Sequence, residues 1–269
     1  MTWADKKPKK GAAPALTADH FFKASEDYTT HDGLKVMAWG GTGIGKTHFA
    51  LSAPGPVYVL DTEFGTMPLL RHFKDKEIYV MEAAVLDPET DEPDMDESLK
   101  KIEAAIATLR ELTAGTIVID SGSDVWGWLG AWTEQQARKR GKMTSADTVQ
   151  RLEWGRANAR WRHLILRLMA KPMHFIITAQ EQEIYDGSGR PTNTFRPRIQ
   201  KQTEHMCDII LHIQKVYSPG KVKPDYVAKI LKNRFQRGVE LEIKDITFDK
   251  LCKALKDKFG IIVDGANIS

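Results

Sequence analysis

Cysteine is scarce: Cys207 and Cys252 are the only two in 269 residues. Two are too few for a disulfide framework or a zinc site, so each is expected to be a small buried hydrophobe in a reducing compartment. No stretch approaches the roughly 18 consecutive apolar residues of a membrane helix. Met1 to Gly11 carries Lys6, Lys7, Lys9 and Lys10 without the apolar segment of a secretory signal. These features lead us to expect a soluble cytoplasmic protein with no membrane partner. An excess of one charge is also missing. Lys and Arg number 39 against 36 Asp and Glu, a net +3, so any surface for a polyanion must be local. The acidic stretch Asp87 to Glu97 lacks the turn glycine of a calcium loop and reads as a solvated loop that places acids at a helix start. No internal repeat is evident, and no N-K-x-D motif is present to read guanine.

What the chain does have is Gly40-Gly41-Thr42-Gly43-Ile44-Gly45-Lys46-Thr47, which fits the phosphate-loop pattern G-x-x-x-x-G-K-[ST]. Its glycines let backbone N–H groups turn inward around an anion, and the following helix adds the positive end of its dipole. Lys46 reaches toward β- and γ-phosphates, and the Thr47 hydroxyl suits a Mg²⁺ ion bridging them. His48 completes the expected nucleotide-binding set. The flanks agree: a short apolar strand, Leu34 to Trp39, leads in, and a helix from Lys46 to Ser52 leads out.

With 42% hydrophobic residues, the chain suits one α/β domain. Residues 1–16 read as a disordered basic tail, 17–33 as a lead-in segment, and 34–269 as the core. Apolar runs place strands at 34–39, 56–61, 77–82, 116–120 and 173–179, alternating with helical patterns such as 151–169, the signature of a mainly parallel sheet covered by helices. After Ala179 the runs at 209–213, 226–231 and 239–243 read as consecutive, antiparallel strands, and Phe248 to Lys258 as a closing helix. The tryptophans at 126, 128, 132, 154 and 161 recur at helical spacing and read as packing groups.

Four strand ends carry chemistry. Thr116-Ile117-Val118-Ile119-Asp120 delivers a carboxylate in the manner of a Walker B strand, toward Mg²⁺. Ser121 follows it, so the carboxylate that activates water must come from elsewhere. Glu63, just past the strand 56–61, is the candidate base. Gln180, at the end of the strand from Met173, can hydrogen-bond a γ-phosphate or its water. Lys232 and Arg234, two residues apart and so on one side of an extended chain, are arranged to push positive charge into a neighbour's phosphates.

In chain order, the phosphate loop, D-T-E (61–63), I-V-I-D-S (117–121), Gln180 and K-N-R (232–234) resemble the RecA-type ATPase core over residues 34 to about 245. The set resembles that of short phage-encoded RecA-like proteins that promote single-strand annealing. That resemblance implies a RecA-like P-loop NTPase fold, ATP and Mg²⁺ as cofactors, and Glu63, Lys46 and Gln180 as the catalytic set. It also implies Lys232 and Arg234 acting across a subunit boundary in a ring or filament on single-stranded DNA. A single-strand-binding protein would be a further partner, and a bacterial host cytoplasm the location. Two segments occupy the family's DNA-binding loop positions: Arg138, Lys139, Arg140 and Lys142 in one, and Arg190, Phe195, Arg196, Arg198 and Lys201 in the other, where cations, an aromatic and glycines suit a mobile loop. Phe21 and Ala24, in F-x-x-A ahead of the core, resemble a polymerisation tether. A hexameric helicase-like or packaging motor shares this core, and an ATP-controlled switch for a protein partner remains a third reading.

Overall fold

The computed structural model describes residues 33–263 except 145, 147, 218, 221 and 237–239, together with 265. The basic tail, nearly all of the lead-in segment, and Phe21 and Ala24 lie outside the described residues.

Among the described residues, nine strands form one sheet: β1 (Lys35–Gly40), β2 (Val57–Asp61), β3 (Ile78–Glu82), β4 (Thr116–Asp120), β5 (His174–Tyr185), β6 (Pro191–Pro197), β7 (Ile209–Val216), β8 (Asp225–Asn233) and β9 (Glu242–Lys244). Their spatial order is β3-β2-β4-β5-β1-β7-β8-β9, with β6 attached to β5. The six strands from β3 to β7 pair in parallel, and β8, β9 and β6 add antiparallel. Every residue of β1 and β4 is buried, as expected for parallel strands covered on both faces.

Alternation along the strands divides the interior into two layers. Val36, Ala38, Val57, Val59, Val118 and Ile176 pack with α1 (Lys46–Leu51) and α6 (Phe248–Phe259). Met37, Trp39, Ile117, Ile119, Phe175 and Ile177 pack on the other face with α2 (Met95–Thr108), α3 (Gly122–Lys139) and α4 (Arg151–Met169). The Asp94 carboxylate caps α2 by accepting from Glu97 N at 3.0 Å, and Asp96 and Glu97 sit in its first turn, favourable to the helix dipole. Trp126 contacts both Trp154 and Trp161, so these tryptophans pack together.

Two expected loops turn out to be regular. The basic run from Arg138 begins as the last turn of α3. The segment from Tyr185 to Lys201 continues the sheet: β5 runs on past Gln180 and folds back as β6 around Asp186–Arg190. The Asp186 carboxylate accepts Ser188 N at 2.8 Å and Arg190 N at 2.9 Å, and Gly189 adopts φ 77°, the geometry of a tight turn. The β-favouring residues Thr192, Thr194 and Phe195 then extend it.

Candidate nucleotide site

Parallel pairing brings the chemistry-bearing strand ends to one edge of the sheet. The register sets Asp61 beside Asp120 and Gly40 beside Gln180, and β5 lies between the strand of the phosphate loop and that of Asp120. This edge, outside the carboxyl ends of the strands, is where open α/β sheets bind ligands.

The phosphate loop needs its glycines for different reasons. A Cβ on Gly40 would lie 2.3 Å from the Ile213 carbonyl oxygen, while Gly43 and Gly45 face open space but adopt φ 68° and 94°, a region costly for other residues. Lys46 folds over the loop, donating to Gly40 O at 3.0 Å and Gly41 O at 2.7 Å. Burial lowers its pKa, opposed by the nearby Glu63, Asp120 and Glu181 carboxylates. Such an ammonium is held for a strongly anionic partner. His48 is exposed at the start of α1, its ring 5.0 Å from that of Phe73.

The Asp120 carboxylate is buried, and burial raises its pKa, against hydrogen bonds from Thr178 and Thr47. Thr47 and Asp120 therefore present adjoining hard oxygen donors, the chemistry that suits Mg²⁺. Among the described residues no group of three or more His, Cys, Asp or Glu side chains is arranged to hold a metal. A cation here would complete its shell from phosphate oxygens and water, as Mg²⁺ does beside nucleotides.

Glu63 and Gln180, 117 residues apart, meet directly: Gln180 Nε2 donates to Glu63 Oε1 at 2.7 Å. Each is held from behind. The Asp61 carboxylate accepts the N–H groups of Glu63, Gly65 and Thr66 at 3.1, 3.4 and 2.9 Å, fixing the turn that carries Glu63. Gln180 N donates to Ser123 Oγ at 2.8 Å. Next to Glu63, Thr62 Oγ1 donates to Asp124 Oδ2 at 2.9 Å and accepts Ser121 N at 2.8 Å. Arg198 reaches the other oxygen of Asp124 at 3.3 Å, and its backbone N–H donates to Gln180 O at 2.8 Å.

The remaining expected site residues lie outside this cluster, in three separate places. Arg190, Phe195, Arg196, Arg198 and Lys201 lie exposed on or just after the hairpin. In the other basic segment Arg138 pairs with Glu134 and Arg140 with Glu153, leaving Lys139 and Lys142 as the cations there with no ion pair among the described residues. That makes it a charged helix end rather than an open loop. Lys232 and Arg234 are both engaged within the chain. Lys232 Nζ donates to the carbonyls of Glu204, His205 and Cys207; Arg234 donates to His205 O and Met206 O and pairs with buried Asp208 at 2.9 Å. Orphan carbonyls of the short helix α5 (Thr203–Met206) attract both cations, so within the chain they clasp α5.

Sequence reasoning missed Asp61, Thr178, Glu181, Ser123 and Asp124 as site residues. Asp61 ends one recognised strand and Thr178 lies next to the end of another, a visible signal. Glu181 comes within 2.9 Å of where a Gly41 Cβ would sit. Ser123 and Asp124 depend on the α3 start, which the sequence pattern did not reveal.

Two pockets adjoin this edge. One, of about 490 Å³, is bounded by Gly43, Ile44, Gly45 and His48 on one side and by Tyr226, Ile246 and Lys250 on the other. The second lies at the foot of the hairpin. The family described as AAA domain matches residues 32–233, more than half of the chain. No curated protein matches it.

Proposed function

Because the chain belongs to the AAA domain family of P-loop ATPases, we propose that its nucleotide-dependent activity is Mg²⁺-dependent ATP hydrolysis. We further propose that the chain is itself a recombination or annealing protein, assembling as a ring or filament on single-stranded DNA under the control of this hydrolysis. The observation that carries the enzymatic half is the Glu63–Gln180 hydrogen bond beside Lys46 and Asp120.

In this reading the loop N–H groups and Lys46 hold the β- and γ-phosphates, and the base fits the pocket between His48 and Tyr226, whose volume lies in the range of small-molecule sites. Thr47 and Asp120 would hold Mg²⁺, which supplies charge neutralisation on the phosphates when bound. Glu63 orients the attacking water and accepts its proton, while Gln180 fixes the carboxylate and is placed to sense the γ-phosphate. The DNA half is supported by the cations and Phe195 on the exposed hairpin, joined to the site through Gln180 and Arg198.

The test is ATP turnover with Mg²⁺, with and without single-stranded DNA, using Lys46→Ala to expose contaminating activity. Glu63→Gln should keep ATP binding and lose about 10²- to 10⁴-fold in turnover; full turnover by that variant removes Glu63 as the base. Hydrolysis indifferent to DNA would replace the DNA reading with an ATP-controlled switch for a protein partner.

A further inference from the structure

Where the hairpin meets α4 and α5, a pocket of about 470 Å³ is lined by Arg196, Arg198 and Lys201, by the amides of Gln182 and Asn158, and by Trp126. Three cations face one carboxylate there, that of Glu204. Arg196 and Lys201 have no ion-pair partner among the described residues. Gln200 donates to Asn158 Oδ1 at 3.0 Å, which leaves the Asn158 amide N–H groups available as donors. Cations for a phosphodiester beside planar amides for a base edge match the chemistry of a nucleotide unit, and the amides and indole are not needed to hold a bare anion.

Arg198 belongs to this pocket and to the nucleotide site at once. Its half-exposed guanidinium pairs with Asp124, whose other oxygen accepts Thr62 Oγ1 at 2.9 Å and Ser121 Oγ at 3.0 Å. Thr62 precedes Glu63, and the Arg198 backbone holds the Gln180 carbonyl. One residue thus touches the supports of both members of the Glu63–Gln180 pair. A phosphate entering the pocket competes with Asp124 for that guanidinium. Losing it would leave a partly buried carboxylate held only by hydroxyl groups, so the cluster around Thr62 must readjust.

We infer that this pocket receives one nucleotide unit of a single strand, and that Arg198 is the positioning residue linking its occupation to Glu63 through Asp124 and Thr62. The inference rests on the DNA reading above and adds a site and a route to it.

The experiment pairs fluorescence anisotropy of labelled oligo-dT with ATP turnover at saturating oligo-dT, both on the full chain. Arg196→Ala and Lys201→Ala should each weaken oligo-dT binding several-fold and lower the log-log salt slope by about 0.7. Asp124→Asn should still bind the strand, but saturating strand should no longer change its turnover. Arg198→Lys, which keeps the charge and loses the planar fork, should show the same loss of response while retaining the slope.

If oligo-dT binds the wild type and the Arg196, Arg198 and Lys201 variants alike, the pocket assignment is overturned while the DNA reading survives. An unchanged response in Asp124→Asn and Arg198→Lys would overturn the link to Glu63. Should inorganic phosphate or poly-glutamate alone reproduce the response, the site is a general anion site and the nucleotide assignment falls. If oligo-dT does not bind the wild type at low salt, the DNA reading itself fails and takes the inference with it.

Discussion

Three backbone N–H groups, from Glu63, Gly65 and Thr66, converge on the buried Asp61 carboxylate. A carboxylate is the right group for this position because it is acceptor-only, with enough lone pairs for all three donors. The turn it fixes carries Glu63 into hydrogen-bond contact with Gln180, so Asp61 positions the carboxylate proposed as the base. Asp61→Ala leaves these donors without their acceptor. At about 1–3 kcal/mol for an unsatisfied buried group, urea denaturation should show a loss in that range, and turnover should fall more than ATP affinity. Lower stability with turnover intact would reduce Asp61 to a structural cap. At this scale the phosphate loop was fully legible, because its glycines and Lys46 are required by backbone geometry that any sequence must satisfy. Asp61 was legible only as a strand end, since its partners are backbone groups that no residue type advertises.

The paired strands β1 and β7 carry an aromatic stack, with the Trp39 and His212 rings 3.7 Å apart and 4° from parallel. Both rings are buried, and among the described residues neither Trp39 Nε1 nor His212 Nε2 has a hydrogen-bond partner, the Glu181 carboxylate lying 3.9 Å from His212 Nε2. Burial lowers the His212 pKa from 6.5 to about 4, with Lys229 adding to the shift. The unfolded chain therefore takes up this proton first as pH falls. The stability His212 contributes is intact above pH 6.5 and is lost between 6.5 and about 4. Urea midpoints measured across that window should decline in the wild type and decline less in His212→Phe, which keeps the stack and removes the titration. Equal slopes would show that other groups set the acid limb. At the element scale the central strands were readable as near-continuous apolar runs because both of their faces are covered, and α4 was readable from its long helical repeat. The hairpin β5–β6 was not: exposed on both sides from Tyr185 to Arg196, it buries no face and so writes no alternation into its residues. Helix α3 escaped for a different reason. Gly127 and Gly130 break up its apolar repeat, and the Ser121-Gly122-Ser123 run that opens it reads as a turn. Knowing α3 would have converted the basic run at Arg138 from a loop into the cationic end of a helix.

Across the whole molecule the net charge is only +3, so long-range attraction gives little help to a polyanion, and affinity for a strand must come from counterions released at a local patch. The hairpin offers Arg190, Arg196, Arg198 and Lys201, and the fold has made one of them different. Arg198 is engaged by Asp124, whereas the other three have no ion pair among the described residues. If a bound strand draws Arg198 away from Asp124, four phosphates are neutralised and the log-log salt slope is about −2.8, or roughly fifty-fold weaker binding from 50 to 200 mM salt. If Arg198 stays on Asp124, three contacts give about −2.1, near twenty-fold over the same range. Asp124→Asn frees the guanidinium beforehand, so under the first arrangement it should strengthen binding at every salt concentration without changing the slope. Under the second it should steepen the slope by about 0.7. Titrating oligo-dT against both proteins over that salt range therefore reads out, from the molecule's overall electrostatics, whether the strand and the ATPase site compete for the same side chain.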